Sequence, residues 1–432
     1  MPLSRRLLPL AAVLLLAGLA EAASLPPRGA GARLDHVTEP EPPPYQWLIR
    51  PTKTGVVTVL PVIDSDPNSG VSVGLMPVWV INRSSDVIGQ IHTLMYSYNA
   101  NYGSSGQYQY FNFPDADTSV LARLGLSQRF DREAVAEYTA ARFLDRDLYF
   151  NGRFEYSLDS TRRFFGIGPA TQQSAESNYT LDTINYRFAA GIPLAPGSRW
   201  RFTGMHGFQA NDVTNGSVDN VPNLEEKFPL TFRNVSERHH NLAVRGTISY
   251  DTRDSGAATT RGTYFAPFIA GANKAVLSDY DYYRYGADAR RFIDWTSPGE
   301  AVPLSVTAMR VKFEDLRGSV PFWLLPELGG KYSLRSYGEG RFIDHSLVEF
   351  ETEQRFRVYA AKFNGTPASF WIDPFLGYGT VSRRPELLQM KYVRPVYGTA
   401  FRVVIPPMLV SSADFGVGQE GLKVFLDINY SF

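Results

Sequence analysis

The chain has 432 residues, no cysteine, and 43 basic against 43 acidic residues, so its formal net charge is zero. The lack of cysteine excludes the class of small exported domains that disulfides hold together. The balanced charge gives no electrostatic basis for a nucleic-acid partner, because nucleic-acid-binding domains carry a basic surface.

The first 22 residues have the three parts of a secretory signal peptide. These are a basic region at Arg5 and Arg6, an apolar run over residues 7–20, and the small-x-small cleavage pattern Ala-Glu-Ala at residues 20–22. A membrane-spanning helix needs about 20 consecutive apolar residues, and no uninterrupted run of that length follows. We therefore expect an exported chain whose mature part crosses no membrane as a helix.

The next segment, residues 23–54, is rich in proline, glycine and charged residues. Such a composition cannot bury a core and is typical of a stiff, exposed linker. The predicted organisation is a signal peptide at 1–22, a periplasmic linker at 23–54 and one large domain at 55–432.

From about residue 69 onward, apolar and polar residues alternate with a period of two. Val244, Ile248 and Tyr250, for example, fall on one face of a strand, and Arg245 and Thr247 fall on the other. About 16 or 17 segments of this kind, separated by turns rich in Gly, Asn, Asp and Ser, can be placed before the end of the sequence.

Two all-β architectures explain this alternation. A soluble sandwich puts its apolar face into a core and its polar face into water. A transmembrane barrel puts apolar residues toward lipid and polar residues toward the lumen, and it closes on itself because a bilayer offers no water to free backbone groups.

Three features favour the barrel. The strands are about 10 to 15 residues long, Tyr and Phe recur near strand ends, and the signal peptide sends the chain to the envelope. We expect an all-β fold, a transmembrane antiparallel β-barrel of about 16 strands, in the outer membrane of a Gram-negative type of cell.

The sequence ends on an alternating segment that places Ile428, Tyr430 and Phe432 on one parity. We interpret this segment as the closing strand, with Phe432 toward lipid. A terminal strand with a final Phe resembles the C-terminal signal by which outer-membrane barrels are recognised for insertion. The expected partners are therefore outer-membrane lipid and the machinery that inserts the barrel.

Residues 326–344 resemble the signature loop of the bacterial surface antigen barrels, the BamA/TamA group of outer-membrane assembly and translocation proteins. The loop of that group has a Gly pair, then a Leu-Arg-Gly-aromatic run, and then Gly-Arg-aromatic-x-Asp. The corresponding residues of the run are Gly329, Gly330, Leu334, Arg335, Tyr337 and, at a position where the group usually has Gly, Ser336.

Other segments extend this resemblance to about residues 56–432. They include the Asp-Thr-Arg-Asp and Arg-Gly pair within 251–262 and the Glu-x-Arg-Phe strand that follows the signature loop. The resemblance implies a long loop folded into the lumen and a role in assembly, insertion or translocation, with no catalytic residue, metal or cofactor. Members of the group generally carry periplasmic POTRA domains; residues 23–54 are too few for one, so we expect a member that consists of the barrel alone.

The predicted strand 346–359 offers partners for the loop arginine. Glu351 and Glu353 lie on the face opposite Phe350 and Phe356, so they should point into the lumen. Because guanidinium–carboxylate pairs are among the stronger charge-assisted contacts, we expect Arg335 to pair with Glu351 or Glu353 and to hold the loop inside the barrel. The alternative is an ordinary exposed loop arginine.

The predicted strand 368–380 lacks the carboxylate that many members of the group place opposite this arginine. Gly377 occupies that position, and Asp373 lies two pleats or about 13 Å away along the strand. Asp373 is therefore a poor direct substitute.

Several segments match the residue pattern of a catalytic motif but lack its structural context. Gly-x-Ser-x-Gly at 70–74 opens an alternating strand instead of a strand-turn-helix, and Gly-x-Gly-x-x-Gly at 416–421 precedes a strand instead of a helix. The pair His239 and His240 lacks a third metal ligand, and His206 has no assignable serine and carboxylate partners. We therefore expect no enzymatic activity.

Three functions are compatible with such a barrel. The first is assembly or translocation, in which a seam between the first strand, near 69–82, and the last, 421–432, opens to a client polypeptide or a lipid. The second is a passive channel with a charged lumen, and the third is an outer-membrane enzyme. The resemblance favours the first.

Overall fold

A computed structural model describes residues 49–84, 87–101, 103–129, 131–256, 258–296, 303–363, 366–405 and 409–428. The predicted signal peptide, the predicted linker up to residue 48, and Tyr430 and Phe432 of the predicted insertion signal lie outside these ranges. Within them, no helix has the length and apolar character needed to cross a membrane.

Within the described ranges, nineteen strands form one antiparallel sheet, and a two-residue ladder forms a second. Two short helices, α1 (Leu224–Lys227) and α2 (Pro229–Arg233), lie in the connection between the tenth and eleventh strands. The strands are β1 (Ile49–Thr52), β2 (Gly55–Asp66), β3 (Gly70–Ser84), β4 (Val87–Asn99), β5 (Gly103–Asn112), β6 (Thr118–Ser127), β7 (Arg132–Ala140), β8 (Tyr149–Phe164), β9 (Ser177–Pro193), β10 (Trp200–Asn215), β11 (His239–Asp251), β12 (Gly262–Ala272), β13 (Tyr282–Asp294), β14 (Ser305–Gly318), β15 (Glu327–Leu328), β16 (Phe342–Ile343), β17 (Ser346–Phe363), β18 (Thr366–Ser382), β19 (Arg394–Ile405), β20 (Leu409–Gly418) and β21 (Gly421–Ile428).

The large sheet closes into a barrel of 18 strands with one extra strand. Each strand from β2 to β14 pairs with the next, β14 pairs with β17, the series continues to β21, and β21 pairs with β2. β1 is the extra strand and pairs with β2. It lies within the last residues of the predicted linker.

The all-β barrel prediction is confirmed, and the strand count differs because β2 was not recognised as a strand. Val56 and Val62 of β2 are buried toward the lumen, while Val57 and Val59 have the opposite parity. Both faces of β2 are therefore apolar, and its sequence does not alternate.

The burial pattern of the wall is the reverse of a soluble protein's. On β3, the side chains of Val71, Val73 and Leu75 are 55%, 56% and 56% exposed, whereas the polar Ser72 between them is only 4% exposed. A band of exposed apolar residues around buried polar ones is the arrangement of a barrel that stands in lipid.

The barrel has two ends that differ in their connections. The longest connections, 165–176, 216–238, 319–345 and 383–393, all lie at the end where β2 turns into β3. We call this the loop end and the opposite one the turn end. At the loop end an apolar cluster packs α1 and the 319–326 segment against β8 and β10, with Phe164, Val213, Leu224, Phe322 and Ile343 among its buried members.

Candidate functional site: the lumen loop and the seam

The connection between β14 and β17 folds into the lumen. Residues 326–345, here called the lumen loop, are held at their base by the β15–β16 ladder. The predicted tip residues come together there, and each is at most 1% exposed: Leu334, Arg335, Ser336 and Tyr337. The tip packs on the wall strands β18 and β19, where Phe375 and Val396 are also buried.

The predicted Gly pair provides the backbone shape of the lumen loop. Gly329 has φ +114° and Gly330 has φ +89°, which only glycine adopts without strain. A Cβ at Gly329 would lie 2.0 Å from the carbonyl oxygen of Gly338. The Gly330 amide donates to the carbonyl of Tyr337 at 2.8 Å, so the two sides of the tip are joined.

Two glycines of β20 lie beneath the tip of the lumen loop. A Cβ at Gly416 of β20 would lie 1.8 Å from the carbonyl oxygen of Arg335, and a Cβ at Gly418 would lie 2.1 Å from Oγ of Ser336. Tyr337 is fixed nearby, because its hydroxyl accepts a hydrogen bond from the amide of Gln419 at 3.3 Å. The loop backbone therefore lies directly on the strand next to β21.

Arg335 contacts three carboxylates and one aromatic ring. Its Nη1 is 2.9 Å from Oε1 of Glu353 and 2.7 Å from Oδ2 of Asp414, while its Nε is 3.9 Å from Oε1 of Glu351. Its guanidinium carbon lies 3.7 Å from the ring centre of Phe375. Burial opposes its charge, but the carboxylates outweigh burial and hold the pKa of Arg335 above its ordinary value.

Two further arginines complete a buried charge cluster on the wall. Arg402 Nη2 is 2.9 Å from Glu353 Oε1, Arg402 Nη1 also donates to Asp373, and Arg355 Nε is 2.9 Å from Glu353 Oε2. Four carboxylates thus surround three guanidinium groups. Buried charges require such paired, hydrogen-bonded partners because they have lost their contact with water. The charge cluster consists of Arg335, Glu351, Glu353, Arg355, Asp373, Arg402 and Asp414.

Asp414 is a partner of Arg335 that the sequence did not predict. Gly377 of β18 lies beside the loop, and its Cβ position is 3.4 Å from Leu334. The carboxylate missing from β18 is therefore supplied from β20 by Asp414. The only sequence signal for it is parity, since Ser412, Asp414 and Gly416 share the inward face of β20.

The β11–β12 connection contacts the charge cluster at the turn end. Arg355 Nη1 donates to the carbonyl of Thr259 at 3.2 Å, and Ala258 packs against a cluster that contains Trp371 and Val404. This connection carries the Asp-Thr-Arg-Asp and Arg-Gly pair singled out in the sequence. Arg355 therefore contacts both this turn-end connection and Glu353 of the charge cluster.

The other side of the lumen holds a polar cavity of about 590 Å³ lined by strands β4 to β10 and by the lumen loop. Arg162 and Glu339 both line this cavity and form an ion pair, with 2.7 Å between Nη1 and Oε1. Glu327 faces the same cavity. Desolvation by the enclosing protein and the nearby charge of Glu339 raise the pKa of Glu327 to about 7.

The seam of the barrel lies between β2 and β21. Among the described residues its ladder has one register pair, Ser65 opposite Val424. By contrast, β20 and β21 pair from Ser411↔Ile428 to Gly418↔Gly421, and β2 and β3 pair along the whole of β2.

The predicted seam was wrong in one of its two strands. β3, which covers the predicted first strand 69–82, lies between β2 and β4, because β2 adds a strand before it. The predicted last strand does form the other side of the seam. Ile428 is the final described residue of β21, whereas Tyr430 and Phe432 lie outside the described residues.

The profile of the Omp85 superfamily domain matches residues 112–419. No curated protein matches the sequence. Among solved structures, BamA from Haemophilus ducreyi lacking POTRA domains 1-3 is 15% identical with a TM-score of 0.50, and the match covers 85% of this chain and 73% of that one.

Two CdiB structures are also similar. CdiB from Acinetobacter baumannii is 10% identical with a TM-score of 0.43, covering 87% of this chain and 59% of that one. CdiB from Escherichia coli is 10% identical with a TM-score of 0.39, covering 86% and 66%. At such identities the likeness to solved structures concerns the fold alone.

Proposed function

The chain belongs to the Omp85 superfamily, and from that premise we propose that it is an outer-membrane insertion or translocation barrel that works by opening the seam between β2 and β21. Its client is a polypeptide or a lipid that passes sideways between the lumen and the bilayer. No cofactor and no catalytic group is required for this activity.

The observation that carries the proposal is the single register pair between Ser65 and Val424 in the described part of the seam. Breaking a strand ladder inside a bilayer costs free energy for each backbone hydrogen bond lost. The ladder with the fewest pairs therefore opens first. An opened seam presents the edge of β2, to which an extended client segment can add as a strand.

The groups that occupy the lumen favour passage of a client sideways through the barrel wall over passage along the barrel axis. The lumen loop and the charge cluster occupy the lumen beside β17 to β20, and the apolar cluster at the loop end packs over the β8–β10 side. The alternative from the sequence, a passive channel, requires a continuous aqueous path. It predicts a steady open conductance in a planar bilayer, whereas a lumen partly filled by the loop and the charge cluster predicts a low one.

The orientation follows from connection length. Outer-membrane barrels have short periplasmic turns and longer outer loops, so we propose that the loop end faces the cell exterior and the turn end faces the periplasm. The lipid of the outer membrane and the machinery that inserts barrels are then its first partners.

A disulfide across the seam tests the proposal, and the absence of native cysteine makes the background clean. The variant Ser65→Cys with Val424→Cys joins β2 to β21, and the matched control Ser65→Cys with Val71→Cys joins β2 to its permanent neighbour β3. Both pairs are direct register partners, as a disulfide requires.

The readout is the folding of a urea-unfolded eight-stranded outer-membrane barrel added to vesicles that contain the protein. We expect the oxidised seam variant to lose the acceleration of folding, reduction to restore it, and the β2–β3 control to keep it. An oxidised seam variant as active as the control would reject lateral opening.

A further inference from the structure

The polar cavity on the β4–β10 side of the lumen carries an excess of negative charge. Of the described residues, six carboxylates and two arginines line it. Its volume of about 590 Å³ lies within the range of small-molecule sites, about 300–1,000 Å³. None of these described lining residues belongs to β2 or β21, so what the cavity binds is a separate question from the opening of the seam.

Five of the six carboxylates have a partner within the barrel. The ion pairs are Arg123–Glu133, Arg153–Glu155, Arg162–Asp159 and Arg162–Glu339, with nitrogen–oxygen distances of 2.6, 2.8, 3.3 and 2.7 Å. Asp131 accepts hydrogen bonds from the amide and the hydroxyl of Ser160 at 2.9 and 2.7 Å. The sixth, Glu327, has neither a cation within ion-pair distance nor a hydrogen-bond donor in the part of the chain that the structure describes. Because its side chain is exposed to the cavity, it is available to a ligand.

A second polar group without a partner lies in the same part of the cavity. Tyr179 of β9 lines the cavity and is only 5% exposed. Its hydroxyl lies close enough to Glu327, Asp159 and Arg162 for their charges to act on it, yet it forms no hydrogen bond with any described residue. Phe322 packs edge-on against the ring, with 5.1 Å between the ring centres, and holds it in place. Since buried polar groups are normally hydrogen-bonded, this hydroxyl and the Glu327 carboxylate together indicate a missing donor.

We infer that the polar cavity binds an aliphatic polyamine, one of whose ammonium groups lies between the Glu327 carboxylate and the Tyr179 hydroxyl. A primary ammonium group has three N–H donors and one positive charge, so it can donate to both oxygens and neutralise the carboxylate. A coordinated divalent ion fits less well, because no three His, Cys, Asp or Glu side chains of the described residues are grouped to hold a metal.

The charge of the lining indicates a ligand with more than one ammonium group. The six lining carboxylates face four arginines when Arg123 and Arg153, which pair with two of them, are counted with Arg132 and Arg162. This leaves an excess of two negative charges, and enclosed charges require compensation. A diamine or a longer polyamine supplies it, and its methylene groups can lie against apolar lining side chains such as Leu181.

Calorimetric titration of the purified full-length protein in detergent micelles with spermidine tests the inference. The variants are Glu327→Gln, which removes the carboxylate that has no partner in the described chain, and Tyr179→Phe, which removes only the hydroxyl. The matched control is Glu155→Gln, because Glu155 also lines the cavity and its partner Arg153 keeps Glu137 at 2.8 Å. Far-ultraviolet circular dichroism confirms the strand content of each variant before titration.

We expect Glu327→Gln to weaken spermidine binding by about tenfold or more, because it removes the charge that the ammonium group contacts. Tyr179→Phe should weaken binding severalfold, and Glu155→Gln should change it much less. Equal losses in Glu327→Gln and Glu155→Gln would overturn the inference, because binding would then follow the overall charge of the lumen. So would the absence of spermidine binding to the native protein, or displacement of spermidine by an equal concentration of Mg²⁺.

The ionisation of Glu327 gives a second readout, which a merely structural role of this residue would not move. The pKa of Glu327 is about 7, and the charges of Glu339, Arg162, Lys312 and Glu314 act on it. Because the ionised carboxylate attracts an ammonium group and the protonated one does not, the affinity of the native protein for spermidine should rise from about pH 6 to about pH 8. Glu327→Gln should show no such rise, and the same rise in both proteins would also overturn the inference.

Discussion

Arg335 of the lumen loop and Asp414 of β20 lie 2.7 Å apart, between Nη1 and Oδ2, and both side chains are buried. β20 is the direct neighbour of β21, the strand that forms one side of the seam. The contact therefore fixes the loop to the wall strand that lies next to the seam strand β21.

Removal of the guanidinium should destabilise the folded barrel strongly. Arg335→Ala removes the cation nearest to Asp414 and one of the cations that contact the buried Glu353, and breaking a buried ion pair from one side costs about 3–5 kcal/mol. The measurement is urea unfolding in detergent micelles.

The control for this variant is Arg129→Ala. Arg129 faces Asp219 at 3.5 Å, and both side chains are at least half exposed, so the expected cost is about 0–1 kcal/mol. Equal unfolding midpoints for the two variants would show that the buried contacts of Arg335 contribute nothing to stability.

The carboxylates around Arg335 should differ in how much each stabilises the folded barrel. Asp414→Asn removes a charge 2.7 Å from Nη1, whereas Glu351→Gln removes one 3.9 Å from Nε. Because the charge cluster holds four carboxylates and three guanidinium groups, the loss of the more distant charge also relieves repulsion. We expect Asp414→Asn to lower the thermal unfolding temperature and Glu351→Gln to change it little, and the reverse order would contradict this account.

How far the sequence predicts this molecule depends on what each residue contacts. Alternation predicted the barrel because a wall between lipid and lumen repeats with a period of two. β2 escaped detection because its lumen face is apolar, as Val56 and Val62 show. The contact of Asp414 was not predicted because its partner, Arg335, lies 79 positions away in the chain. A local sequence pattern does not indicate such a contact.

A methyl group on the wall should displace the lumen loop. Gly416→Ala places a Cβ 1.8 Å from the carbonyl oxygen of Arg335, which is backbone and cannot rotate away. Overpacking of this kind costs about 1–3 kcal/mol. Gly106→Ala is the matched control on β5, where a Cβ would meet no atom within 4 Å. Hydrogen exchange of the loop amides should rise in the first variant and stay unchanged in the second.

Removal of one hydroxyl should stabilise the protein. Ser336 is fully buried, and its Oγ has no hydrogen-bond partner within the part of the chain that the structure describes. A buried unpaired hydroxyl costs about 1–3 kcal/mol, and Ser336→Ala removes it while keeping the Cβ. We expect a higher thermal unfolding temperature in detergent. A lower one would mean that the hydroxyl has a partner in the folded protein.

The stability of the folded barrel should depend on pH through Glu327. The pKa of Glu327 is raised from 4.5 to about 7, first by desolvation and then by the charge of Glu339. The folded barrel therefore binds this proton more tightly than the unfolded chain does. Stability from this group is fully present below about pH 4.5 and is lost as the pH rises through about 7.

Thermal unfolding in detergent across this pH range provides the measurement, with Glu327→Gln as the comparison. The amide imitates the protonated acid at every pH, so the variant should match the native protein near pH 5 and exceed its unfolding temperature near pH 8. Glu339→Gln removes the neighbouring charge, and it should move the native transition to lower pH. If the native protein and Glu327→Gln showed parallel pH profiles, Glu327 would not be the group that titrates there.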